Sequence, residues 1–319
     1  MSANKPEQAK QIKISELSRF GIYIAFAIMC IFFATQNAVF LSPVNIINIL
    51  RQVSFNAILA MGMTVVIITG GIDLSVGSVL ALAAVVAASL VKANSPLLPV
   101  FLAVLIALAI GALCGFLSGL VITKGKRPPF IATLVMMTIA RGVAQLYTTG
   151  RPVTGLQPAF KFIGAEFIFG IPVPIYIMAL VTLVTYVILS HLRLGRYIYA
   201  VGGNEQSASA SGIKVDSVKI FAYVFSGALS ALVGVVLAAR LNSATPILGQ
   251  GYELDAIAAA VIGGTSMDGG RGNVIGTLVG ALIIGTISNG LDILNVSAYW
   301  QQIIKGLIIL IAVLLDRKD

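Results

Sequence analysis

Between Arg51 and Lys124 the chain carries only two charged residues, Asp73 and Lys92. A soluble domain cannot clothe its surface that way, since about a quarter of its residues are charged. The whole chain repeats the pattern, with 12 acids and 21 bases in 319 residues and a 58% hydrophobic share. A bilayer core of ~30 Å needs roughly 20 residues of apolar helix. Charge-poor runs of that order recur at 21–50, 52–72, 74–91, 93–123, 128–147 (around Arg141), 167–190, 220–239, 273–291 and 299–315 (around Lys305), with a shorter one at 256–267. The reading is an all-α, polytopic membrane protein of about ten transmembrane helices, with one membrane domain over 20–315. Whether 254–264 crosses fully or re-enters stays open.

The bases orient the chain. With the N-terminus in the cytoplasm, inner segments hold 14 Lys and Arg, and outer segments hold five: Arg51, Lys92, Arg151, Lys161 and Arg240. Short cytoplasmic loops are enriched in Lys and Arg, so both ends are expected inside, as tails 1–19 and 316–319. The first apolar run has no compact cleavage site behind it and reads as a retained span. The net charge of +9 is therefore an orientation signal, with no case for nucleic acid. Cys30 and Cys114 fall within apolar runs and imply no disulfide framework. The single His191 ends an apolar run and reads as a loop or interface residue.

The chain resembles itself at an offset of 195. In residues 65–79 and 260–274, Val66, Ile67, Asp73, Gly77 and Val79 match Val261, Ile262, Asp268, Gly272 and Val274. Each copy runs from apolar residues through a glycine-rich stretch to D-x-x-x-G and back to apolar residues. Such interruptions at corresponding positions of two halves are the best sequence pointer to a transport site, because broken helices free backbone groups to meet a polar solute. Asp73 and Asp268 could each cap the helix that follows, or bind substrate or ion directly. Both turns are expected near the cytoplasmic face.

Arg141 and Lys305 lie within spans, ~9 Å from the outer boundary at 1.5 Å per residue. Ion pairing, with Glu253, Asp255 or Asp292 near outer span ends, and outward snorkelling are both open. No Asp, Glu or His is placed mid-span, which disfavours a proton-coupled carrier. Glycines recurring every four residues, at 111, 115 and 119 and at 272, 276 and 280, read as helix-packing stripes. Thr133, Thr138 and Gln145 on the fifth span are the polar candidates for a solute pathway, with interhelix hydrogen bonding as the alternative for each.

Residues 192–219 form the longest inner loop. Its middle reads as a short helix with Asn204 as N-cap, Glu205 in the first turn and Gly212 just past the end. Asn204, Glu205, Gln206, Ser207, Ala208, Ser209, Ser211 and Gly212 make a small, polar surface suited to a groove in another protein; an ordinary capped loop helix is the alternative. No phosphate loop, Cys/His metal cluster or Ser/His/Asp set occurs, so no cofactor, metal or catalytic residue is expected.

The stretches TGGIDLSVGS (69–78), PFIATLVMMTIARG (129–142), GRYIYAVGGNEQSASASGI (195–213), GYELDAIAAAVIGGTS (251–266) and QQIIKGLIILIAVLLDRK (301–318) carry a close resemblance to permease subunits of bacterial monosaccharide ABC importers, the ribose type in particular. The resemblance covers nearly the whole chain from about residue 43. It implies a homodimer in the inner membrane that moves a monosaccharide of the ribose class. A cytoplasmic ABC ATPase would dock on it, and an external sugar-binding protein would deliver substrate and set most of the specificity. It also implies that 204–212 is the coupling helix within the 192–219 loop. Gln206, Ser207 and Ser209 stand where relatives often carry bases, implying less electrostatic docking. The alternative function is a stand-alone facilitator or secondary sugar carrier.

Overall fold

The structure is a computed structural model. It describes the backbone of residues 5–315 and the side chains of 21–308 and 310. The side chains of the expected 1–19 tail, and the whole 316–319 tail, lie outside the described residues. The chain runs through α1 (Lys5–Gln36), a 3-10 turn (Ala38–Leu41), α2 (Pro43–Ile68), α3 (Val76–Leu90), α4 (Val100–Thr123) and α5 (Pro129–Thr148). Then come α6 (Pro158–Ala165), α7 (Val173–Ser190), α8 (Arg193–Gly203), α9 (Glu205–Ala210), α10 (Val215–Leu241), α11 (Tyr252–Ile262), α12 (Val274–Ile293) and α13 (Ala298–Leu315). Four two-residue strands form two small ribbons, β1 (Val153–Thr154) with β4 (Ser243–Ala244) and β2 (Phe167–Ile168) with β3 (Ile171–Pro172). Among the described residues, α2, α4, α5, α7, α10 and α12 are long and apolar enough to cross a membrane, with shorter apolar helices beside them. The protein is an all-α polytopic membrane protein.

The first boundary differs from the expectation. Asn37 and Ser42 cap the 3-10 turn and α2 with their side chains, so α2 begins at Pro43 and Arg51 lies two turns inside it. There its guanidinium sits over the Phe167 ring, 5.0 Å from the centroid. A long side chain stacked on an aromatic face is tolerated inside a helix where a loop position was expected.

At the centre are α2 and α10. Residues 53–68 of α2 are buried without interruption, and α10 packs on α4, α3, α2 and α6. Apolar surface does not drive helices together in lipid; close backbone approach does. The glycine stripe of α4 supplies it: a Cβ on Gly111 would sit 2.2 Å from the Gly227 carbonyl, and one on Gly115 2.0 Å from the Tyr223 carbonyl. On the other side Gly276 and Gly280 of α12 meet Gly263 and Ala259.

Contacts sort the loops into two ends. At one end, the turns after α2 and α11 meet α8, and Lys124 pairs with Asp216 at 2.6 Å. Lys124, Lys126, Arg127, Arg193, Arg196, Lys214, Lys219 and Arg271 lie there. At the other end, the Leu156 amide donates to Asn242 Oδ1 (3.0 Å), β1 pairs with β4, and the Ser89 and Tyr147 hydroxyls are 2.6 Å apart. Lys92, Arg151, Lys161 and Arg240 belong to this end.

Candidate translocation cavity and docking face

After β4 the chain turns back into the bundle instead of closing a loop at its end. Gly249 and Gly251 adopt φ of +70° and +85°, a region that L side chains rarely enter. Gly251 is the N-cap of α11. The returning segment leaves carbonyls without helical donors, and Arg141 of α5 satisfies two of them: its guanidinium donates to Pro246 O at 2.7 Å and Leu248 O at 3.0 Å. The segment then packs on α3, where a Cβ on Gly77 would lie 2.2 Å from Gly249 O and 2.6 Å from Glu253 Oε2. Gly77 is 13 residues from Leu90 at the far end of α3, ~20 Å of helix. Helix α11, at 11 residues, is ~16 Å long. It is a half-helix that starts deep in the bundle and runs to the basic end.

A cavity of about 470 Å³ opens beside this break, within the ~300–1,000 Å³ usual for small-molecule sites. Ser78, Thr138, Arg141, Gln145, Gln250 and Glu253 supply its polar lining. A second cavity of about 570 Å³ shares Gln250 and Glu253 and continues past Tyr252 and Asp255 to Gln302 and Lys305 of α13. Lys305 Nζ and Asp255 Oδ2 are 2.9 Å apart, with side chains 23% and 10% exposed.

The two repeat turns meet at the basic end. The Gly270 amide donates to Ile68 O at 2.8 Å, occupying an acceptor that the end of α2 leaves free. Asp73 is buried; its Oδ1 accepts from the Ser75 amide (3.0 Å) and hydroxyl (2.6 Å), and its Oδ2 from the Ser226 hydroxyl of α10 (2.8 Å). It ties the start of α3 to α10. Asp268 is exposed, and α12 is capped instead by Asn273, which accepts from the Ile275 amide at 2.9 Å. Gly77 lies inside α3 while Gly272 precedes α12 and faces Ile68.

Helix α8 sits on the junction of those turns. A Cβ on Gly202 would fall 1.7 Å from Ile68 O and 2.5 Å from Gly270 N. The Tyr199 hydroxyl donates to Gly272 O at 2.9 Å; burial pushes this phenol's pKa up, which keeps its proton in place. Directly after α8, Asn204 caps α9 by accepting from the Ser207 amide at 2.8 Å, and the short helix ends at Ser211 with Gly212 at φ +82°. Glu205, Gln206, Ser207, Ser209 and Ala210 are exposed, and Glu205 pairs with Lys219 at 2.5 Å. Glu205, Gln206, Ser209, Ala210, Val215 and Asp216 line a groove of about 790 Å³.

Residues 45–313 match the family described as branched-chain amino acid transport system / permease component. The chain belongs to this permease family. It is 52% identical to the ribose import permease protein of Haemophilus influenzae, over 94% of this chain and 95% of that one. It is 50% identical to the ribose import permease protein of Bacillus subtilis (95% and 94% covered) and 40% identical to the D-allose transport system permease protein of Escherichia coli (94% and 91%). No solved structure matches the chain. The family is one of transport subunits, not enzymes.

The permease places the residues singled out from sequence unevenly. Thr138, Arg141 and Gln145 share the first cavity. Thr133 does not line it; its buried hydroxyl lies 3.0 Å from Pro129 O within α5 and 3.2 Å from Ile72 O of the first repeat turn. Ala208 is 4% exposed and faces the protein, unlike its neighbours on α9. Glu253 and Asp255 are not at an outer span end, because α11 begins inside the bundle; the absence of mid-span acids therefore no longer weighs against proton coupling. Sequence reasoning missed Gln250, Gly249 and the whole of α8. The Gly202–Gly203 pair before the Asn204 cap was the available sign of a close approach.

Proposed function

We propose that this permease is the membrane-spanning subunit of an ATP-driven importer that carries ribose into the bacterial cytoplasm. What carries the reading is the layout of two sites on one chain. A polar, charge-balanced cavity lies at a break in the helices, and a capped helix with an exposed polar face is joined through α8 to that same break. Identity of 50% or more to ribose import permeases supports ribose as the cargo.

The basic end is the cytoplasmic one, by the usual Lys/Arg bias, which puts tails 1–19 and 316–319 inside. An ABC ATPase docks on the 192–219 region, with Asn204, Glu205, Gln206, Ser207, Ser209, Ser211 and Gly212 at the contact and Ala208 seating α9 beneath it. Its closure moves α8, and Tyr199 and Gly202 pass the displacement to both repeat turns. An external sugar-binding protein delivers substrate at the opposite end. Thr138, Gln145, Gln250 and Gln302 lie on an exposed face at a depth where lipid offers no hydrogen bonds. A second copy covers that face, and the solute passes between the two.

The test is co-expression with an ABC ATPase and ribose-binding protein in cells lacking ribose uptake. Accumulation of radiolabelled ribose that needs all three proteins is expected. Uptake by the permease alone, or driven by a pH gradient, would replace this reading with a secondary carrier.

A further inference from the structure

We infer that the cavity beside α11 is a sugar-hydroxyl subsite in which Glu253 is the principal acceptor, so that the permease itself selects neutral polyols. The inference rests on the transport reading above and deepens it, since delivery by a binding protein alone would need only a passive tunnel.

The chemistry of the lining carries it. Ser78, Thr138, Gln145 and Gln250 are uncharged groups that both donate and accept hydrogen bonds, which suits hydroxyls in any orientation. Arg141 and Glu253 bring one charge of each sign, so the cavity has no net charge to attract an ion. The two are not equivalent. Arg141 already donates to Pro246 O and Leu248 O, which makes it a positioning residue for the returning segment. Glu253 stands in the first turn of α11 and lines both cavities. A carboxylate has about four acceptor positions, enough for a pair of vicinal hydroxyls. Charge-assisted hydrogen bonds of this kind are about twice as strong as neutral ones. Gly77 packs against the same carboxylate, and among the described residues no other acid lines the first cavity. Removing one sugar hydroxyl leaves part of this acceptor unpaired, the arrangement that discriminates most sharply against a deoxy analogue.

Ligand-observed saturation-transfer NMR on the full-length permease in nanodiscs, without binding protein, tests it with ribose, 2-deoxyribose and ribose 5-phosphate as probes. Ribose is expected to bind at millimolar strength, with 2-deoxyribose and the charged phosphate each about tenfold weaker. Glu253→Gln, which keeps the shape, should weaken ribose about tenfold and erase the preference over 2-deoxyribose. Should that variant fail to fold, Gln145→Ala on the exposed side of α5 should weaken ribose several-fold. Wild-type affinity and selectivity in both variants, or no ribose signal from wild type, would overturn the inference. Binding with the expected selectivity alongside ATP-independent uptake would leave the subsite standing and fail only the importer reading.

Discussion

Gly202 and Gly203 are adjacent glycines at the end of α8 with opposite expected responses to a methyl group. At Gly202 the new Cβ lies 1.7 Å from the Ile68 carbonyl oxygen. A contact of 3.0 Å is the least that side-chain carbons tolerate, so α8 or the turns must separate by about 1.3 Å. Overpacking of this kind costs roughly 1–3 kcal/mol. Separating the turns also strains the Gly270 N–H to Ile68 O bond, and a buried polar group left unpaired adds about 1–3 kcal/mol. Together Gly202→Ala should cost about 2–6 kcal/mol. At Gly203 nothing among the described residues lies within 4 Å of the same position, and replacing glycine near a helix end by alanine should be neutral or favourable by up to ~1 kcal/mol. Thermal melting of the purified permease reports the first difference. Ribose uptake and ribose-dependent ATP hydrolysis by the full complex report the second. Gly202→Ala should melt lower and hydrolyse ATP with little uptake, and Gly203→Ala should match wild type. Equal behaviour of the two variants would refute the role given to α8.

Three further outcomes follow from the geometry. Removing one partner of the half-buried Lys305–Asp255 pair, as Lys305→Met or Asp255→Asn, should destabilise by on the order of 3 kcal/mol, because the other charge is left in the membrane; the double variant should recover most of it in the same melting assay. Gly77→Ala should be strongly destabilising, since its Cβ would meet Gly249 O at 2.2 Å, whereas Gly142→Ala, with open space around it, should not; circular dichroism melts in detergent compare them. Asn204→Ala removes the α9 cap, costs about 1 kcal/mol, and should weaken co-purification with the ATPase, as should the bulky Ser209→Trp on the exposed side.

The charge-poor runs were legible because a lipid-facing helix has almost no freedom to carry ions. The cap at Asn204 and the end at Gly212 were legible because capping is a local matter of side chain and backbone. What failed was depth. Glu253 and Asp255 were placed near an outer span end, although re-entry of 254–264 was left open. The Gly249 and Gly251 turns send the chain back inside before α11 begins. The repeat failed in a similar way: Asp73 and Asp268 align in sequence, but α12 starts at the counterpart of Val79, three residues into α3, so one acid is enclosed and the other is exposed. Helix α8 was hidden because its 11 residues include three glycines, Gly195, Gly202 and Gly203, which disfavour helix locally. Gly202 is held against Ile68 and Gly270, residues that only the tertiary fold brings near.

The most direct test of the central claim is ribose accumulation in proteoliposomes holding the permease, an ABC ATPase and a ribose-binding protein, with ATP supplied only on the ATPase side. ATP should drive labelled ribose above its equilibrium level, a non-hydrolysable analogue should not, and dissipating the pH gradient should leave accumulation unchanged. Equilibration without ATP, or accumulation that collapses with the pH gradient, would contradict the account.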